Sequence, residues 1–173
     1  MNWGGAITLG GAVLGLAILG HHLAMWWPGV GALRKDPLGC LGELTPFVLA
    51  WLYGTALLMC AGGIVRFLTD LTVWSVSWLG DGALVWGVGG QAGQGVGPAD
   101  VQFLTNGGHA MVLIVGAVLL GLLKVGRINP AALRKGTFCG VLLGQTGGVL
   151  GLAAPVVATS FNLSGAWLST GVL

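Results

Sequence analysis

The chain reads as an all-α integral membrane protein with four transmembrane helices in two hairpins and an external Trp- and Gly-rich segment between them. Three observations predict this. Charged side chains make up 7% of the 173 residues, against about 25% in an ordinary soluble domain. Hydrophobic residues make up 55% and the mean hydropathy is +0.90, so 7 basic and 5 acidic side chains are too few to cover a soluble fold of this size. Several uncharged runs also approach the about 20 apolar residues that a spanning helix needs. The 34 glycines do not signal disorder, which goes with high charge and low hydrophobicity. In a bilayer, glycine lets helix backbones approach closely.

The first expected span covers residues 6–27, which hold no Asp, Glu, Lys or Arg. Trp26 and Trp27 close it as interfacial anchors and Pro28 stops the helix. No positive n-region precedes this run, and it is longer than the apolar part of a signal peptide. It therefore reads as a retained helix that doubles as the insertion signal. The second span covers 46–67, from Pro46 at the first helical position to Arg66 at the far boundary. The third has an apolar core at 109–123 and reaches spanning length by starting around 101–106 or ending beyond Lys124. The fourth covers 138–161, with Pro155 near its end.

Two segments between the hairpins are not simple spans. Residues 68–80 place Trp74 and Trp78 four apart, on one helical face, as in an interfacial helix lying on the membrane; a short strand is the alternative, since the segment partly alternates. Residues 82–98 are glycine-rich and too polar to cross lipid as a helix. They belong outside the bilayer or folded back as a re-entrant loop. Three regions follow: a first hairpin at 1–67, an external segment at 68–108, and a second hairpin with its C-terminal tail at 109–173.

Six of the seven basic residues fall in the two loops that turn these hairpins: Arg34, Lys35, Lys124, Arg127, Arg134 and Lys135. Short loops rich in Lys and Arg stay cytoplasmic. The expected location is thus the cell membrane, multi-pass, with both termini extracytoplasmic. Ala32–Lys35 and Ala132–Lys135 share the sequence ALRK, each followed by a cysteine, Cys40 and Cys139. Duplication as a parallel repeat explains the match, and so does chance in an Ala-, Leu- and Gly-rich chain.

Candidate chemistry is sparse. His21 and His22 lie near the inner end of the first span and His109 near the outer end of the third, which separates them as haem or metal ligands. Glu43, three residues before Pro46, complements a helix N-terminus, with Gln145 as the matching polar group of the fourth span. Cys40, Cys60 and Cys139 show no CxxC or Cys/His spacing and read as small buried thiols. The run GVGGQAGQGVG lacks the flanking strand, helix and following Lys-Ser/Thr of a nucleotide site. No catalytic, cofactor or metal site is expected, and no nucleic-acid partner.

Helix packing is the better supported use of the sequence. Gly11 and Gly15 are four apart in the first span; Gly140, Gly144 and Gly148 form a ladder in the fourth, with Gly147 and Gly151 beside it. Such small-residue faces bring helices together. The expected function is a non-catalytic structural subunit of a larger membrane-embedded assembly, with the bilayer and homo- or hetero-oligomeric membrane partners. The Gly/Ala-rich hairpin with a short basic turn, over 6–67 or 109–161, resembles in architecture the hairpin of conjugative pilins. That resemblance implies a place in a secretion or conjugation apparatus; a phage-derived complex is the other setting. A small oligomeric channel or transporter is the alternative, with Thr8, Thr55, Gln145, Thr146 and Thr159 as pore-facing groups. A holin-like pore-former is a further one, although the C-terminus NLSGAWLSTGVL lacks the charged tail usual in holins.

Overall fold

The computed structural model describes residues 7–96, 103–146 and 153–171. The described residues form helices α1 (Leu9–Trp26), α2 (Val30–Lys35), α3 (Pro37–Leu58), α4 (Gly63–Val88), α5 (Asn106–Lys124), α6 (Pro130–Gly144) and α7 (Ala153–Gly171). No strand occurs among them; an isolated antiparallel bridge joins Thr8 to Gly95. Three helices, α1, α3 and α5, are long and apolar enough to cross a membrane.

Local chemistry explains where the helices begin. Thr8 and Thr105 accept hydrogen bonds from the amides of Gly11 and Gly108, at 3.3 and 3.2 Å. Asp36 and Asn129 do the same for Gly39 and Ala131, at 2.9 and 2.8 Å, each just ahead of a proline at the helix start. These side chains satisfy amides that lack an intrahelical partner, and proline gives up nothing at that position. Helix α4 ends at Gly89, in the left-handed region at φ 71°. The amides of Gly89 and Gly90 turn back to the carbonyls of Val85 and Leu84, a glycine stop of Schellman type.

Several expected boundaries are corrected. The second span does not run from 46 to 67: α3 starts nine residues earlier, at Pro37, keeps Pro46 inside it, and stops at Leu58. Asp36, not Glu43, caps it; Glu43 is an exposed residue within the helix. Residues 68–80 are no separate interfacial helix or strand but the middle of the 26-residue α4, which also takes in residues 82–88 of the glycine-rich stretch. Arg66 lies in the first turn of α4 rather than at the end of a span. The fourth expected span, 138–161, is not one helix, because α6 ends at Gly144 and α7 begins at Ala153. Pro155 sits in the first turn of α7, where a missing amide is tolerated.

Helix directions follow from the pairs in contact. Gly136 meets the Phe47 carbonyl and Gly144 meets Thr55, so α3 and α6 run the same way. Gly107 meets Gly165 and Gly108 meets Asn162, so α5 and α7 oppose each other. Gly15 abuts Leu142 and Leu143, while His22 stacks on Phe47, the residue that Gly136 meets, so α1 opposes α6. Helix α4 crosses α1 where Gly80 packs on Gly10 and Ser77 on Gly11. Leu104 bonds Met59 and Gly116 meets Tyr53, so α5 opposes α3; helices α1 and α5 therefore point one way, and α3, α6 and α7 the other.

The contacts also repeat. In one half, Thr8 at the start of α1 bonds Ser77 of α4 and Gly10 packs on Gly80. In the other, Thr105 at the start of α5 bonds Asn162 of α7 and Gly107 packs on Gly165. At the centre, Gly54 of α3 meets the Thr137 carbonyl and Gly140 of α6 meets the Trp51 carbonyl. Helices α1, α3 and α4 thus correspond to α5, α6 and α7. The ALRK segments do not correspond: the first closes the short α2, whereas the second lies inside α6.

Three apolar clusters hold the halves together. One joins Met59, Leu104, Val112 and Val157. The second joins Ile7, Val73, Val141 and Leu142, and the third Phe47, Cys139 and Leu143.

Candidate functional site

The closest helix contacts are built on glycine. A Cβ on Gly140 would overlap the Trp51 carbonyl, and one on Gly54 would overlap that of Thr137. Small residues here let α3 and α6 approach backbone to backbone. Among the glycines singled out by spacing, Gly11 lies against Ser77 and its own Ile7, and Gly15 against Leu142 and Leu143. Gly140 and Gly144 face Trp51 and Thr55. Gly147, Gly148 and Gly151 lie outside the described residues. Spacing within one helix missed Gly10, Gly54, Gly80, Gly107 and Gly165, whose partners sit on other helices.

Among the described residues the buried polar ones are Thr55, Thr69, Ser77 and Thr146, each bonded within the bundle, whereas Trp51 Nε1, Asp81 Oδ1 and Gln145 Oε1 are buried without a partner. Thr55 is fully buried; its hydroxyl reaches the carbonyls of Trp51 at 3.0 Å and Gly140 at 3.3 Å. Thr146 donates to the Leu143 carbonyl at 2.7 Å. Thr8 caps α1. Gln145 follows the last turn of α6 with its side-chain oxygen buried, and Thr159 is exposed on α7. The threonines named as pore-facing candidates thus include three that bond within the helix bundle.

The exterior has the opposite character. Along α4, Ile64, Phe67, Leu71, Trp74 and Trp78 are exposed, while Thr69, Val73, Ser77 and Gly80 on the other side are buried. A helix packed in water instead turns its large apolar side chains inward. An apolar face of that length marks a membrane or protein contact. Trp27 is exposed as well. Trp26 is half-buried, with its indole donating to the Cys40 carbonyl at 2.9 Å and ties the end of α1 to the start of α3.

The basic side chains collect where α1 and α5 end and α3 and α6 begin. Arg34 and Lys35 close α2, Lys124 closes α5, Arg127 lies in the next turn, and Arg134 and Lys135 lie in α6. All six are exposed. The ion pair found among the described residues is elsewhere: Arg66 bonds Asp70 at 3.0 Å and caps α3 through the Leu58 carbonyl at 2.9 Å.

The histidines are placed by packing. His22 stacks on Phe47, ring centroids 3.9 Å apart. His109 sets one ring nitrogen 2.8 Å from the Thr105 carbonyl, and the other accepts from the Ala61 amide at 3.3 Å. The two contacts latch the α3–α4 connection to α5. No group of three His, Cys, Asp or Glu side chains suited to a metal occurs among the described residues. Cys60 and Cys139 are buried and Cys40 half-buried. Burial pushes the Cys60 thiol pKa up, against a smaller opposing pull from Arg66.

No protein-family model, curated protein or solved structure matches the chain.

Proposed function

We propose that this chain is a non-catalytic structural subunit of a larger membrane-embedded assembly, multi-pass in the cell membrane. In this reading α1 and α5 cross inward and α3 crosses outward. The fourth crossing is shared by α6 and α7, which point the same way as α3. The basic end faces the cytoplasm, as short Lys- and Arg-rich loops do, and both termini lie outside. A secretion or conjugation apparatus is the setting that the Gly/Ala-rich helices with a basic turn suggest by architecture.

The observation that carries the assembly reading is the outer face of α4. This helix bears Arg66, Asp70 and Asp81 and falls outside the three helices apolar enough to cross lipid alone. Yet its exposed stripe runs through Phe67, Leu71, Trp74 and Trp78. Aromatic residues in such a stripe are the side chains enriched at protein interfaces. The interior supports the same reading over a channel, because the hydroxyls of Thr55 and Thr146 bond to backbone carbonyls in the core.

The test is purification in mild detergent followed by mass spectrometry. Membrane proteins retained in fixed ratio, and lost from a Trp74→Ser, Trp78→Ser variant that still folds, are the expected result. Recovery of the wild-type chain as a lone monomer overturns the proposal. Ion flux across liposomes holding the purified chain would favour the channel instead.

A further inference from the structure

A groove of about 540 Å³ opens between α1 and α6 at the basic end of the molecule. Its mouth carries His21 from α1 and Arg134 and Lys135 from α6. Its floor, one to two turns further along both helices, is apolar: Leu14, Ala17 and Ile18 on one side and Phe138 on the other. No acidic side chain lines it. The helices oppose each other, so the charged and apolar ends come from both in register. Phe138 remains 46% exposed although it borders the groove, which leaves an apolar surface open beside two exposed cations.

We propose that this groove binds one anionic phospholipid, with the phosphate at Arg134 and Lys135 beside His21 and one acyl chain along Leu14, Ile18 and Phe138. A guanidinium forks onto phosphate oxygens and a lysine adds a point charge. Basic pockets between helices at the cytoplasmic side are suited to lipid headgroups. The position in the fold is specific to one half. On the register that matches Gly54 with Gly140, the α3 residues corresponding to Arg134 and Lys135 are Val48 and Leu49. The equivalent flank between α5 and α3 is also filled, since the Tyr53 ring reaches over Gly116. The α1/α6 groove thus adds a single lipid site to a repeated scaffold. It rests on the membrane location proposed above, not on membership of an assembly.

The test uses the purified full chain in nanodiscs of phosphatidylcholine with a minor share of phosphatidylglycerol, read by native mass spectrometry. Wild type is expected to retain one phosphatidylglycerol well above its share of the disc. Arg134→Gln with Lys135→Gln should cut that preference roughly thirtyfold, from about fivefold per basic group at the membrane surface. Ala17→Trp, at an exposed position, fills the apolar floor and should remove the bound lipid with both charges intact. Arg34→Gln with Lys35→Gln, at the same end but outside the groove, should leave the preference unchanged. No enrichment in wild type overturns the proposal. Equal loss from the Arg34/Lys35 variant overturns it too, by showing a diffuse electrostatic effect. Displacement of the lipid by inorganic phosphate alone would reveal an ion site without a chain contact and would also sink it.

Discussion

Gly140 of α6 faces the carbonyl of Trp51 on α3 with no room for a methyl group between them. The same helices meet again where Gly54 faces the Thr137 carbonyl. This crossing sets how close the two halves of the molecule stand. Gly140→Ala forces backbone apart, where no flexible side-chain tip can give way. Overpacking of this kind costs about 1–3 kcal/mol, and the backbone partner places this site at about 3 kcal/mol. Gly121→Ala on α5, where a Cβ meets nothing within 4 Å, should instead be neutral or gain up to about 1 kcal/mol. Unfolding midpoints of both variants in one detergent check the contrast, and equal midpoints would refute the crossing.

The repeated contacts make a second claim measurable. Gly10 and Gly107 occupy matching places, each pressed against a glycine of another helix. Gly10→Ala and Gly107→Ala should therefore destabilise by similar amounts. The two sites lie in separate halves with no shared partner, so the losses should add within about 0.5 kcal/mol in the double variant. A large loss at one site and none at the other would show that the halves are not equivalent.

The parts of this architecture legible in the sequence are those that depend on local pattern. Uncharged runs marked α1 and α5, and the basic residues marked one end of the molecule. The break between α3 and α4 was not legible, because Met59, Cys60, Ala61 and Gly62 continue an apolar run. What ends α3 comes from elsewhere in the chain. Arg66 takes the Leu58 carbonyl, the Leu104 amide takes that of Met59, and His109 receives the Ala61 amide. Hydropathy carries no trace of such partners. The repeat was visible but in another register from ALRK: Ile7-Thr8-Leu9-Gly10-Gly11 matches Leu104-Thr105-Asn106-Gly107-Gly108, pairing the two helix caps and the two glycine contacts. The lipid groove needed the fold, because His21 and Arg134 are brought together only by opposing helices.

The α3–α4 break predicts a coupling. Arg66 serves both the Leu58 carbonyl and Asp70, and the two side chains retain 22% and 18% exposure. Breaking a fully buried pair costs about 3–5 kcal/mol, so Arg66→Met should lose somewhat less, about 2 kcal/mol. Asp70→Asn should lose less again, because Arg66 keeps its bond to Leu58. The double variant removes the stranded carboxylate along with the cation, and should be more stable than the sum of the single losses implies, by about 0.5 kcal/mol or more. Strict additivity in a thermal unfolding cycle would show that the pair is not coupled.

The native cysteines report the orientation of the chain without any engineering. Cys40 is half-buried in the first turns of α3, beside the basic α2, whereas Cys60 and Cys139 are 2% and 0% exposed. Attack requires both access and a thiolate, and burial denies Cys60 the first while raising its pKa. A maleimide should therefore label Cys40 in the folded protein, and reach Cys60 and Cys139 only after denaturation. With the basic end in the cytoplasm, a membrane-impermeant maleimide should leave Cys40 unmodified in intact cells and label it once the membranes are opened. Labelling of Cys40 from outside intact cells would reverse the topology, place the lipid groove in the outer leaflet, and remove the charge asymmetry as the reason that Arg34, Lys35, Arg134 and Lys135 share one end.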